Sequence, residues 1–156
     1  WVAKLGLGSW RESDQLLIQE LNTVLQIIET DMTIFFRLLC DAEDPKYSDF
    51  SKAFYTDSDE AKQQWNLWLK QWWDRVEAVP DREAMKAANP KYVLRNWMAQ
   101  LAIDAAEGGD YTVCETLHLL LSNPYDEQPE SEEEWFQKRP EWARNRVGCS
   151  MLSCSS

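Results

Sequence analysis

Between Asp57 and Ala78 the chain sets Trp65, Trp68, Leu69, Trp72 and Val76 at intervals of three and four residues. An α-helix brings such positions onto one face. Four tryptophans fall within residues 65–73, so this face carries more apolar surface than a solvated helix tolerates. A fold that contains it must pack other elements against that stripe. Asp57 and Glu60 have the spacing of a capping box, with Asp in place of the usual Ser or Thr, and predict where the helix starts. Its expected end is near Ala78.

The same period recurs on both sides. Ser13 is the expected N-cap of a first helix carrying Leu17, Leu21, Val24, Leu25 and Ile28. Asp31 or Thr33 caps a second, Ile34 to Cys40, burying Ile34, Phe35, Leu38 and Leu39. The short link between them predicts an antiparallel helical hairpin. Residues 41–57 are polar, contain Pro45 and several Asp, and read as a connection with a helical turn around Phe50 to Phe54. Pro80 suits the first turn of a short helix that ends before Asn89-Pro90. A helix from about Lys91 to Glu107 carries Leu94, Met98, Leu101 and Ala105 on one face and stops at Gly108-Gly109. Asp110 or Thr112 caps another, with Val113, Leu117, Leu120 and Leu121, which Asn123-Pro124 ends.

From residue 124 the character changes. Six acids and Pro129 lie within 126–134. Ser131 and Glu134 repeat the capping-box pattern before Trp135 and Phe136, and Arg144-Asn145-Arg146 leads into a tail from Gly148 to Ser156. No segment alternates as a strand does, and no internal repeat is present. The expectation is an all-α fold, an irregular array of about five helices with a partly extended C-terminal tail. Residues 1–123 form the helical domain, and 124–156 an acidic linker, a short helix and a cysteine-containing tail.

At 156 residues and 44% hydrophobic, the chain is long and apolar enough for a core without disulfide staples. It has no apolar run near twenty residues and no visible signal peptide. Its start at Trp1 rather than Met reads as a trimmed or excised segment, or one that has lost a tag or leader. Acids outnumber bases 27 to 16, for a net charge of −11. That balance opposes nucleic acid, whose phosphates need Lys and Arg, and opposes an anionic membrane surface. Cys40, Cys114, Cys149 and Cys154 lack the dense spacing of a secreted disulfide scaffold, so a reducing compartment is expected.

Local chemistry is sparse. The lone histidine, His118, stands four residues after Cys114 on one helix face, the spacing of two zinc ligands, yet nothing nearby completes four. The same pair is the one thiol–imidazole combination available for nucleophilic catalysis. A packed helical cysteine beside an exposed histidine is the simpler account. Adjacent acids such as Asp126-Glu127 and Glu132 to Glu134 read as solvated charge rather than an acid–base pair. There is no GxxxxGK[ST], GxGxxG, HRD or DFG motif. No catalytic, cofactor-binding or metal residue is therefore assigned within this chain. Of the nine tryptophans, those on the helical stripe read as core. Trp73, beside the stripe, is the candidate for contact with something outside the segment.

Three stretches together resemble the selenoprotein O family. They are Asn89-Pro90-Lys91-Tyr92-Val93-Leu94-Arg95-Asn96-Trp97 running on to Ala106, then Asn123-Pro124-Tyr125, then Ser153-Cys154-Ser155-Ser156. Lys4-Leu5-Gly6-Leu7 and Asp31-Met32-Thr33-Ile34-Phe35-Phe36-Arg37 are similar to that family as well. The resemblance spans essentially the whole chain and matches the family's C-terminal region.

The resemblance implies a parent enzyme with a kinase-like fold. Such an enzyme binds ATP with magnesium and transfers AMP to hydroxyl side chains of protein substrates. Its ATP and metal residues lie upstream of this chain. The implied partners are that kinase-like domain and the protein substrates, and the implied location is bacterial cytoplasm, or the mitochondrion in a eukaryote. The family's selenocysteine position falls on Cys154, which implies a redox-responsive tail, with Cys149 as a second candidate. Arg144 and Arg146 are expected to favour thiolate. Lys91 and Arg95, expected on one helix face, are candidates for ion pairs with the kinase-like domain. The competing reading is a free-standing, non-enzymatic helical interaction module with a Trp-rich face.

Overall fold

Most of the helices expected from periodicity form, although several start at a different residue from the one the spacing suggests. The computed structural model describes residues 1–149, so Cys154 lies outside the described residues. Their regular structure is helical, with an isolated antiparallel bridge between Thr30 and Phe54. They divide into two compact units, Trp1–Pro90 and a second from Lys91 onward. The change of composition at residue 124 falls inside the second unit.

The first unit contains α1 (Asp14–Ile27), α2 (Met32–Asp41), a 3-10 turn (Tyr47–Ala53), α3 (Asp59–Arg75) and α4 (Arg82–Ala88). Ser13 precedes α1, but its side chain makes no capping bond. Asp31 caps α2 by accepting from the Ile34 N–H at 3.0 Å. Ser58, not Asp57, caps α3, accepting from the Ala61 N–H. Asp57 is drawn away because it accepts from the Tyr47 hydroxyl and pairs with Lys62. Asp81 caps α4, so Pro80 lies just outside the helix rather than in its first turn.

The expected hairpin of α1 and α2 does not form. Helix α1 packs along α3, while α2 packs on the 3-10 turn and α4. The link between α1 and α2 is held elsewhere: Asp31 N–H donates to Ala53 and Tyr55 N–H to Glu29. These bonds tie the link to the end of the 3-10 turn and re-aim α2. Helix α1 and α3 run antiparallel, with Asp14 at the start of one against Arg75 at the end of the other.

The tryptophan stripe is core, as its spacing requires. Trp65, Trp68, Leu69 and Trp72 are all buried. Phe35 meets Trp65 at 4.8 Å between ring centroids and Phe50 at 5.1 Å, so α2, the 3-10 turn and α3 share one aromatic cluster. Two indole N–H groups leave that cluster to reach backbone: Trp68 donates to Leu17 and Trp72 to Leu5, at 2.9 and 2.8 Å. Both acceptors belong to segments that the stripe must hold in place. Leu5 precedes Gly6, whose φ of +64 and close approach to Met85 exclude a side chain.

Helix α3 ends at Arg75, short of Ala78, because Glu77 and Ala78 both adopt left-handed backbone at φ 55 and 58. Ala78 is exposed and makes its turn through its N–H to Trp73. Glycine adopts that conformation without the Cβ penalty. Ala78→Gly is accordingly expected to raise stability by about 0.5–1 kcal/mol, read as a higher urea midpoint with unchanged slope.

The second unit contains α5 (Asn96–Glu107), α6 (Thr112–Ser122), α7 (Pro129–Trp135) and a 3-10 turn (Glu141–Ala143). Helix α5 begins at Asn96, not Lys91. The N–H groups of Lys91 and Tyr92 both donate to the Pro124 carbonyl, at 2.8 and 3.0 Å, which holds Lys91–Arg95 out of the helix. Leu94 consequently lies off the helix and is exposed. Asn89 closes α4, its N–H donating to the Met85 carbonyl. Gly108 and Gly109 end α5 as expected, Gly109 at φ +82. Helix α6 packs on α5, and Asp110 accepts from the Thr112 N–H at its start. Helix α7 starts at Pro129, after Gln128 in left-handed backbone, so Ser131 is inside it rather than its cap. Trp135 stacks on Trp97 at 5.9 Å, joining α7 to α5.

Candidate functional site

The Asn89–Tyr92 stretch anchors polar groups in each unit. On the first unit's side, Asn89 closes α4 and donates its side-chain amide to the Lys4 carbonyl at 2.9 Å. The buried Arg37 donates to the Asn89 carbonyl at 3.1 Å. Cys40 lies beside the Asn89 amide at 3.7 Å. Burial pushes this thiol above its ordinary range, the Asn89 contact opposing it, which keeps Cys40 protonated and unreactive near neutrality.

On the second unit's side, Lys91 is buried between two acids. Its ammonium reaches Glu127 at 3.0 Å and Glu132 at 2.8 Å. Burial pulls its pKa down, but Glu132 and Glu127 outweigh that and hold it above the ordinary lysine value. Tyr92, also buried, directs its hydroxyl at the carbonyls of Glu127 and Gln128. Gln128 in turn donates to the Leu120 and Asn123 carbonyls. Two residues of the Asn-Pro-Lys-Tyr stretch therefore hold the acidic segment 126–134 in place. That segment was expected to be solvated charge, and Glu127 and Glu132 are instead ion-pair partners.

Lys91 and Arg95 lie on extended chain and do not share a helix face, contrary to the sequence expectation. Arg95 stands at the N-cap of α5 with φ −110 and ψ 151. Lys91 makes its ion pairs within its own unit. The remaining interdomain candidate, Trp73, is half-buried against Trp72, 5.9 Å between centroids. It lines an open groove of about 660 Å³ with Pro45, Tyr47, Asn66, Lys62 and Lys70. Asn66 pins this groove by accepting from the Tyr47 N–H at 2.8 Å. Burial and the Asp57 hydrogen bond push the Tyr47 phenol up to about 12, so it remains a neutral donor at physiological pH.

Cys149, one of the redox candidates, is buried, and its N–H donates to the Arg146 carbonyl. Arg146 pairs with Asp104 at 2.8 Å. Cys114 and His118 line one shallow hollow on α6 with Glu115 and Leu119, and the Cys114 thiol is directed at the Ala102 carbonyl of α5 at 3.8 Å. Among the described residues no three His, Cys, Asp or Glu side chains gather to hold a metal ion.

Two features escaped the sequence reading. One is the pairing of Lys91 with Glu127 and Glu132, for which only the acid-rich composition of 126–134 gave a hint. The other is the ion pair of Asp14 and Arg75, fully buried on the aspartate side. Their separation of 61 residues leaves no local signal.

A family model described as protein adenylyltransferase SelO matches residues 1–122. The chain belongs to the SelO family. It is 49% identical, over its full length, to a protein nucleotidyltransferase YdiU of Flavobacterium johnsoniae. It is 44% identical over 99% of its length to the YdiU of Azoarcus sp. strain BH72, and 43% to that of Rhodopirellula baltica. This SelO-family chain spans about a third of those relatives: 32%, 31% and 33% of their lengths. Among its described residues no helix is long and apolar enough to cross a membrane.

Proposed function

We propose that this SelO-family chain is the helical C-terminal part of a protein adenylyltransferase. The whole protein transfers AMP from ATP to Ser, Thr or Tyr hydroxyls of other proteins, in the cytoplasm of a bacterium. The observation that carries the reading is similarity along the whole chain to relatives named protein nucleotidyltransferases, within a family described as adenylyltransferase. ATP and magnesium belong to the kinase-like part of the polypeptide beyond these residues. The residues here do not fit them: no phosphate-cradling loop is present in the sequence, and no metal-ligand cluster exists among the described residues. No catalytic step is therefore routed through this chain.

Its role in that proposal is mechanical. The two packed units buttress the kinase-like part, and Cys154 supplies a redox-responsive thiol. Full-length protein incubated with α-labelled ATP and magnesium is expected to pass label to protein, and the 156-residue chain alone is not. Absence of label from the full-length protein, with and without reductant, would overturn the adenylyltransferase reading in favour of a non-enzymatic helical interaction module. Label from the short chain would overturn the assignment of catalysis elsewhere.

A further inference from the structure

Helix α6 reads Thr-Val-Cys-Glu-Thr-Leu-His-Leu-Leu-Leu-Ser, with Val113, Cys114, Leu117, Leu119, Leu120 and Leu121 apolar. Only Leu117 and Leu120 are buried, where α6 packs on α5. Leu119 is 70% exposed and Tyr111, at the helix start, 61%. Cys114 is exposed as well, and with Glu115, His118 and Leu119 it lines one shallow hollow. A helix with apolar residues on both sides is built to be covered on both sides. An isolated surface leucine is ordinary, but Leu119 and Tyr111 stand exposed on one helix beside Cys114, which lies at the edge of the face with its thiol toward the Ala102 carbonyl of α5 at 3.8 Å.

We infer that the outer face of α6, around Tyr111, Cys114 and Leu119, is the docking face for the rest of the same polypeptide. The inference rests on the chain being part of a longer protein, as proposed above. The curated relatives are about three times as long as the stretch they share with this chain, so two-thirds of their length is available to cover it. A second copy of this chain is a poorer occupant, because a net charge of −11 on each copy opposes association. The covering surface is apolar, and a basic side chain at its rim would meet Glu115.

Cys114, at the edge of that face, reports on the cover. In native full-length protein, site-resolved mass spectrometry after N-ethylmaleimide treatment is expected to show Cys114 alkylated at least ~10-fold more slowly than in urea-unfolded protein. The protection should be unchanged on dilution to nanomolar protein. Leu119→Lys removes nothing from the core of its own unit, since Leu119 is exposed there. It should therefore raise the Cys114 rate several-fold with the helical circular dichroism preserved. A native rate within about threefold of the unfolded one would overturn the docking face. Protection that disappears on dilution would also overturn it, naming a second copy as the occupant. Protected Cys114 without AMP transfer would sink the enzymatic reading and leave this one standing. Exposed Cys114 with AMP transfer would do the reverse.

Discussion

Asp14→Ala is expected to lower the unfolding free energy by about 3–5 kcal/mol, the penalty for stranding one member of a buried ion pair. Arg75 grips both Asp14 oxygens, one by its Nε and the other by an Nη at 2.8 Å. The same guanidinium donates to the Ser9 carbonyl at 2.8 Å, and the Arg11 N–H donates to Asp14 at 2.7 Å. Removing the carboxylate leaves Arg75 charged and largely buried, with its link between α1, α3 and the entering segment broken. Urea unfolding would measure the loss, and a drop below 1 kcal/mol would show that the pair contributes no more than a surface bridge.

The pair also sets an acid limit. Hydrogen bonds from Arg75 hold the Asp14 carboxyl below the usual range, against the opposing effect of burial. A folded value below the unfolded one means the stabilisation is present above about pH 4 and is lost as pH falls through the folded value. In Asp14→Ala that acid limb should flatten. An acid limb equally steep in both proteins would assign it to other carboxylates.

Trp72→Ala is expected to cost about 3–5 kcal/mol, the range for emptying a large aromatic site in a core. Trp72 is fully buried, and its indole N–H is the partner of the Leu5 carbonyl. Phenylalanine separates volume from hydrogen bonding. Trp72→Phe leaves the Leu5 carbonyl without that donor, at about 1–3 kcal/mol, in addition to some lost volume. Trp65 is the control, equally buried with no partner for its indole N–H. Trp65→Phe should cost less than Trp72→Phe in thermal or urea unfolding. The opposite order would show that ring volume alone governs the stripe.

Much of the helical content was legible because its causes are local. The three- and four-residue spacing of Trp65 to Trp72 needs no distant partner to be read as a buried stripe. Gly108-Gly109 stops α5 because glycine tolerates the left-handed turn at Gly109. Asp31 caps α2 with its own side chain. Helix starts were misplaced where a distant group competed. Tyr47 and Lys62 take Asp57, leaving Ser58 to cap α3. The Pro124 carbonyl takes the N–H groups of Lys91 and Tyr92 and delays α5 to Asn96.

The candidate site divides in the same way. The Asn-Pro-Lys-Tyr stretch was recognisable as a specific pattern, but its purpose was not, because Lys91 meets acids 36 and 41 residues away. By itself the sequence determined that this chain is all-helical, that its tryptophan stripe is core, and that it carries no phosphate-binding or kinase motif. Those properties follow from side-chain period, turn chemistry and motif spacing, which act over a few residues. Tertiary structure alone decided that α1 lies along α3, that Asp14 is paired with Arg75, and that Leu119 of α6 stays exposed among the described residues. Such outcomes depend on which distant surfaces compete for the same apolar face or buried charge, and a few residues of local sequence do not encode that competition.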